Sequence, residues 1–193
     1  MNKNLDLNRK FVPINIAVIT VSDSRSLATD KSGDVLVNCL TEAGHELVKR
    51  TLIRDNQDEI SSLLHEWTIE DKIDVILTTG GTGLTGRDVT VEAHRDVYEK
   101  EIEAFSVIFA NVSVRKIGTS AVQSRACAGI ANGKYLFALP GSPSACLDAW
   151  TEILSHQFDY RHRPCNFVEI MPRLKEQDRE LRQAEVKIKS LKK

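Results

Sequence analysis

Residues 74–90, DVILTTGGTGLTGRDVT, constrain this chain more than any other stretch. Val75, Ile76 and Leu77 form an apolar run that Thr78 and Thr79 extend with β-favouring residues. The run has no polar alternation, which predicts a strand buried on both faces, as in a parallel sheet. It stops at Gly80-Gly81-Thr82-Gly83. Three glycines in four positions permit positive φ and leave no Cβ between the backbone and a ligand. At the carboxyl end of a parallel strand such a loop can turn several N–H groups toward an anion, commonly a phosphate. Arg87 and Asp88 then place one charge of each sign before the next helix. The motif is neither a Gly-Lys-Ser/Thr phosphate loop nor a GxGxxG fingerprint. A tight turn without a ligand would use the same glycines, so the other loops have to decide.

The remaining chain alternates strand and helix. Ile14 to Val21 is apolar and β-branched, and it ends in the polar cluster Ser22-Asp23-Ser24-Arg25-Ser26. Asp30 or Ser32 caps a helix whose apolar face is Val35, Leu36, Cys39, Leu40 and Ala43, with Gly44 as its stop. Leu47 to Ile53 is a more polar strand, nearer an edge. Ile60, Leu63, Leu64 and Trp67 recur at helical spacing before the glycine loop. Beyond it come a short helix from Thr90 and a longer one carrying Ile102, Phe105, Ile108, Phe109 and Val112. Two strands, Ala126 to Ile130 and Tyr135 to Leu139, flank Asn132-Gly133, a strong hairpin signal. Ser142 as N-cap with Pro143 at the first helical position starts the last helix of the domain.

This pattern predicts an α/β fold, a three-layer sandwich with a mostly parallel central sheet. Ligands of such sheets sit outside the carboxyl ends of the strands. That rule gathers the loops 22–33, 54–56, 80–88 and 140–144 onto one rim, a stronger signal than any one of them. Residues 1–12 are expected to be a loose arm. Residues 1–172 are expected to form one domain, followed by a charged helical tail, 173–193, with eight Lys/Arg, four Asp/Glu and no glycine or proline.

Composition excludes several classes. A net charge of −1 gives no reason to expect nucleic acid as a partner. No apolar run approaches a membrane span, and the polar Met1–Lys10 lacks the core of a signal peptide, so no membrane partner and a cytoplasmic location are expected. Cys39, Cys127, Cys146 and Cys165 form no CxxC pair, which argues against zinc and for buried structural thiols.

With these loops placed, the chain resembles the MoaB/MogA family of molybdenum cofactor biosynthesis. The matching stretches are ITVSDSRS (19–26), DKSGD (30–34), EAGHEL (42–47), LIRDNQ (52–57), LTTGGTGLTGRDVT (77–90), GTSAVQSRA (118–126), ALPGSP (138–143) and RPCNF (163–167). The resemblance implies the MogA-like, molybdopterin-binding fold and Mg²⁺- and ATP-dependent adenylylation of molybdopterin, with pyrophosphate released. It carries catalytic and Mg²⁺-binding roles to Asp55 and Asp88, and nucleotide phosphate binding to Gly80, Gly81, Thr82, Gly83 and Arg87. It carries molybdopterin binding to Ser22, Asp23, Ser24, Ser32, Gly33, Pro140, Gly141 and Ser142. It also implies a homotrimer or homohexamer. Val91 departs from the proline that many members have after Asp-Val-Thr. The residues alone allow a plainer reading, in which Asp55 and Asp88 only cap the helices that follow them. A non-catalytic molybdopterin- or nucleotide-binding protein of the same pathway is the alternative function.

Overall fold

The sheet forms as the apolar runs dictate. In the computed structural model, which describes residues 4–176, β1 (Asn15–Val21) leads through α1 (Lys31–Glu42) to β2 (Glu46–Ile53). Then follow α2 (Gln57–Thr68), β3 (Val75–Thr79), α3 (Thr90–Val97), β4 (Lys100–Glu101), α4 (Glu103–Ile117), β5 (Cys127–Ala131), β6 (Lys134–Leu139) and α5 (Pro143–Ala149). The six strands lie in the order β2-β1-β3-β6-β5-β4. The first four are mutually parallel, and β5 and β4 continue the sheet antiparallel. β4 was not expected; both its residues are polar and exposed, so it carries no apolar signal.

Side-chain alternation between two covered faces explains why β1, β3 and β6 are buried along almost their whole length and largely apolar. Ile16, Val18, Val75, Leu77, Tyr135 and Phe137 face one layer, with α1, α4 and α5 residues such as Leu40, Phe109 and Cys146. Ala17, Ile19, Ile76 and Leu136 face the other, with Ile60, Leu64, Trp67, Ala93 and Val97 from α2 and α3. Helices on both faces make the expected three-layer α/β sandwich. Each large aliphatic side chain buried there contributes about 1.5–3 kcal/mol. Val91, in the first turn of α3, buries against Cys127 and Ala138, which gives a packing reason for valine at this position. The Asn132-Gly133 turn has positive φ at both residues, 49° and 72°, as a two-residue hairpin of this hand requires.

Two expectations are corrected, and one alternative reading is closed. The N-terminal arm is not loose from residue 4 onward. Leu5 bridges His162, Arg163 N–H donates to Asn4 O, and Arg9 bonds Glu169 and the Tyr160 carbonyl. The four cysteines are not all buried: Cys127 and Cys146 are, Cys39 is half-buried and Cys165 is exposed. Burial pushes the Cys127 thiol up to about 11 and the Cys146 thiol up to about 12. Finally, neither aspartate is a helix cap. Asn56 caps α2 by accepting from Glu59 N–H, and α3 has no side-chain cap. Of the expected tail, only residues 173–176 are described; 177–193 lie outside the described residues.

Two buried histidines set an acid limit. His94 is fully buried on α3, hydrogen-bonded through Nε2 to Thr78 Oγ1 (2.8 Å) and through Nδ1 to the Tyr98 hydroxyl (3.0 Å). Burial pushes its pKa down to about 3 and that of His45 down to about 4. Both are neutral in the fold at neutral pH, and each gains a proton on unfolding between about pH 6.5 and its own folded pKa. Their stability contribution is complete above that pH and falls as pH drops through about 4 for His45 and about 3 for His94. The slope is about 1.4 kcal/mol per unit for each. Urea midpoints should therefore decline steadily from pH 7 to pH 4.5, and His94→Gln should flatten the decline. A midpoint unchanged between pH 7 and pH 5 would contradict this.

Candidate functional site

The carboxyl ends of β2, β1, β3 and β6 share one edge, because these four neighbours are parallel. The glycine loop is wedged between the exits of β1 and β6. Gly80 has φ +101°, and a Cβ there would lie 2.1 Å from the Val21 carbonyl oxygen. A Cβ on Gly141 would lie 3.0 Å from Gly80 Cα. Only glycine permits three strand exits to meet this closely.

One side of the loop opens on a pocket of about 210 Å³, lined by Thr20, Ser22, Arg25, Lys31, Ser32, Gly80 and Gly141 among others. Ser32 Oγ donates to Gly141 O at 2.9 Å, joining the first turn of α1 to the loop after β6. Beneath lies buried Asp30, which accepts from Thr20 Oγ1 (2.6 Å), Gly33 N–H (2.9 Å) and Arg50 (2.9 Å). Burial disfavours its charge, but the Thr20 and Arg50 hydrogen bonds outweigh that, and its pKa is lowered. A larger depression of about 530 Å³ lies at the opposite edge of the sheet, by Glu99, Ile130 and Gly133. None of the four rim loops reaches it, so volume alone is a poor guide here.

The other side of the loop is acidic. Asp55 Oδ1 lies 2.7 Å from where a Gly81 Cβ would stand, and an Asp88 carboxylate oxygen lies 2.8 Å from the corresponding Gly83 position. Asp23 accepts from Asp55 N–H (3.4 Å) and pairs with Arg87. Burial, then the Asp23 charge, raise the Asp55 pKa, and Asp88 adds to the effect. Asp88 behaves oppositely: it accepts from the Thr85 hydroxyl (2.6 Å) and the Thr85 N–H (2.9 Å), and the hydroxyl bond is the first cause of its lowered pKa. Asp55 is thus a charge short of partners, and Asp88 a charge held ionised by its own loop.

The structure brings Ser22, Ser32, Gly80 and Gly141 together around the pocket, and Gly81, Gly83, Arg87, Asp23, Asp55 and Asp88 on the acidic side. Thr82 is buried in the loop. Gly33 sits under the pocket, where a Cβ would be 2.1 Å from Asp30 Oδ2. Pro140 offers its carbonyl to Thr79 Oγ1, and Ser142 caps α5. Ser24 does not line the pocket; its N–H turns back onto Ser22 Oγ. The residue that sequence reasoning missed is Arg125. It grips the loop from the segment just before β5, and the only available signal was its place in the GTSAVQSRA stretch.

The fold and this rim define a small α/β ligand-binding domain with polar and acidic clefts either side of a glycine loop. A family model described as a probable molybdopterin binding domain matches residues 17–160. Molybdenum cofactor biosynthesis protein B of Escherichia coli K12 is 42% identical over 161 residues, covering 83% of this chain and 95% of that one. The protein of the same name from Staphylococcus aureus MRSA252 is 38% identical over 162 residues, covering 82% and 94%. A crystal structure of molybdenum cofactor biosynthesis protein B superposes with a TM-score of 0.78 at 32% identity, covering 87% and 99%. The tungsten cofactor synthesizing protein MoaB from Pyrococcus furiosus gives 0.67 at 34% identity, covering 76% and 93%. This chain belongs to the MoaB/MogA family of molybdenum cofactor biosynthesis proteins.

Proposed function

We propose that this protein is a molybdopterin adenylyltransferase, joining the adenylyl group of ATP to the terminal phosphate of molybdopterin and releasing pyrophosphate. The observation that carries the reading is the division of one rim by one glycine loop. A neutral-to-basic polar pocket lies on one side, and two carboxylates with an arginine lie on the other. Two phosphate-bearing ligands bound in these clefts would meet over Gly80 and Gly81.

The attacking phosphate oxygen is already anionic, so no strong general base is needed. The barrier lies in bringing two anions together and in charge developing on the departing pyrophosphate, which positioning and electrostatics lower. The Gly80 N–H is bonded to Leu139 O, which leaves the Gly81 and Thr82 amides as donors for a nucleotide phosphate. Arg87 can exchange Asp23 for phosphate, and Ser22, Ser32, Arg25 and Lys31 can hold the molybdopterin side. Asp55 and Asp88 offer hard oxygen donors on the same loop, and the raised pKa of Asp55 is what a site for a cation would show. Among the described residues no three His, Cys, Asp or Glu side chains gather to hold a metal. Two carboxylates plus phosphate oxygens and water suit Mg²⁺, which would supply charge neutralisation. The test is purified protein with molybdopterin, ATP and Mg²⁺. Pyrophosphate release should require molybdopterin, whereas release without it would mark a nucleotide-hydrolysing domain instead.

Self-association as a trimer or hexamer is proposed on the family's precedent and on one surface. α4 exposes Val107, Val114 and Ile117, spaced so that they fall on one side of the helix. Light scattering should give a mass three or six times that of the chain, and Val114→Glu with Ile117→Glu should reduce it to the single chain. A monomeric wild type would overturn this.

A further inference from the structure

Arg125 stands between a 3₁₀ turn, Gly118–Gln123, and β5, and does not line the pocket beside Ser32. Its guanidinium nevertheless reaches the glycine loop at both ends. Nε donates to Thr82 O (3.1 Å) and Gly83 O (3.0 Å), and Nη2 donates to Asp88 O (3.1 Å). Nη1 and Nη2 together pair with the Glu92 carboxylate in the first turn of α3. One side chain therefore ties the beginning of the loop, its end and the following helix to the segment that leads into β5.

The direction of these bonds matters. In a trans peptide the C=O of one residue and the N–H of the next point opposite ways. Carbonyls of Thr82 and Gly83 turned onto Arg125 force the N–H groups of Gly83 and Leu84 away from it, into the concavity of the loop. The Asp88 carboxylate sits there, on the Thr85 N–H and hydroxyl. Holding the Asp88 carbonyl fixes the other end of the same residue. A planar fork with several fixed donors suits this task, and a lysine ammonium does not reproduce it.

We propose that Arg125 is a positioning residue that holds loop 80–88 in its nucleotide-binding shape, presenting the Asp88 carboxylate to a Mg²⁺-bound nucleoside triphosphate. The proposal rests on the adenylyltransferase reading. It predicts an uneven effect, because Arg125 touches the acidic side of the rim and no residue of the Ser22–Ser32–Gly141 pocket.

The test is calorimetric binding of Mg·ATP and, separately, of molybdopterin to the full chain, alongside steady-state adenylylation. The variants are Arg125→Ala, Arg125→Lys and Glu92→Gln. Arg125→Ala and Arg125→Lys should weaken Mg·ATP binding at least tenfold and raise KM for ATP in parallel. KM for molybdopterin should stay within about twofold. Glu92→Gln keeps the carbonyl contacts and should fall between wild type and Arg125→Lys. Added guanidinium should restore part of the ATP affinity to Arg125→Ala. Equal loss of both ligands, or unchanged ATP binding in a folded Arg125→Lys, would overturn the proposal. If Arg125→Ala does not fold, the Lys and Gln variants decide. A wild type that binds Mg·ATP but makes no conjugate would defeat the adenylyltransferase reading alone, leaving the ATP-binding comparison intact; one that binds no Mg·ATP would defeat both.

Discussion

Asp55→Asn and Asp88→Asn should each slow adenylylation of molybdopterin by about a hundredfold or more, without unfolding the protein. The estimate follows from removing one charged ligand beside the reacting phosphates, where a single well-placed group is worth roughly 10²–10³ in rate. The two variants should differ in stability. Burial and the neighbouring Asp23 raise the Asp55 pKa, so its charge costs the fold, and Asp55→Asn should melt at or above the wild-type temperature. Asp88 is held ionised by Thr85, so Asp88→Asn should melt slightly lower. A less active but no less stable Asp55→Asn would mark a residue kept for chemistry rather than folding. Rates within threefold of wild type in both variants, measured at saturating ATP and Mg²⁺, would remove the aspartates from the mechanism.

Gly80→Ala should be the most damaging single methyl in the loop. The new Cβ would stand 2.1 Å from the Val21 carbonyl oxygen, at a φ of +101°. Overpacking against backbone costs about 1–3 kcal/mol, and a left-handed φ adds about 1–2 more. A loss of about 3 kcal/mol lowers the melting temperature of a chain this size by about 10 °C. The exits of β1, β3 and β6 would also be forced apart, so conjugate formation should be lost. Gly86→Ala is the matched control. It has open space around the position and no positive φ, and it should be neutral or up to about 1 kcal/mol more stable. Equal melting temperatures for the two variants would show that the packing at Gly80 is not what holds the rim together.

The contrast between Gly80 and Gly86 indicates what could be read in the sequence. Apolar runs without alternation, such as Val75 to Leu77, declare a strand covered on both faces, and Asn132-Gly133 and Ser142-Pro143 declare a hairpin and a helix start. The four rim loops follow from those elements and from the position of ligand sites in parallel sheets. Contacts made by backbone could not be read. Arg125 bonds to carbonyls, which every residue has, so nothing in residues 80–88 announces it. The N-terminal arm docks largely the same way, through Leu5 and the Asn4 carbonyl. β4 is two exposed polar residues with no pattern to find. The capping role open to Asp55 failed for a local reason: Asn56, one residue later, takes the cap and leaves Asp55 facing the loop.

The most direct measurement is to follow the α-phosphorus of ATP. Wild-type protein would be incubated with molybdopterin, Mg²⁺ and ATP labelled at that position, and the products separated. The label should move into a molybdopterin conjugate, with one pyrophosphate released for each conjugate formed. If molybdopterin binds and the label stays in ATP, the protein is a binding member of its family and not a transferase.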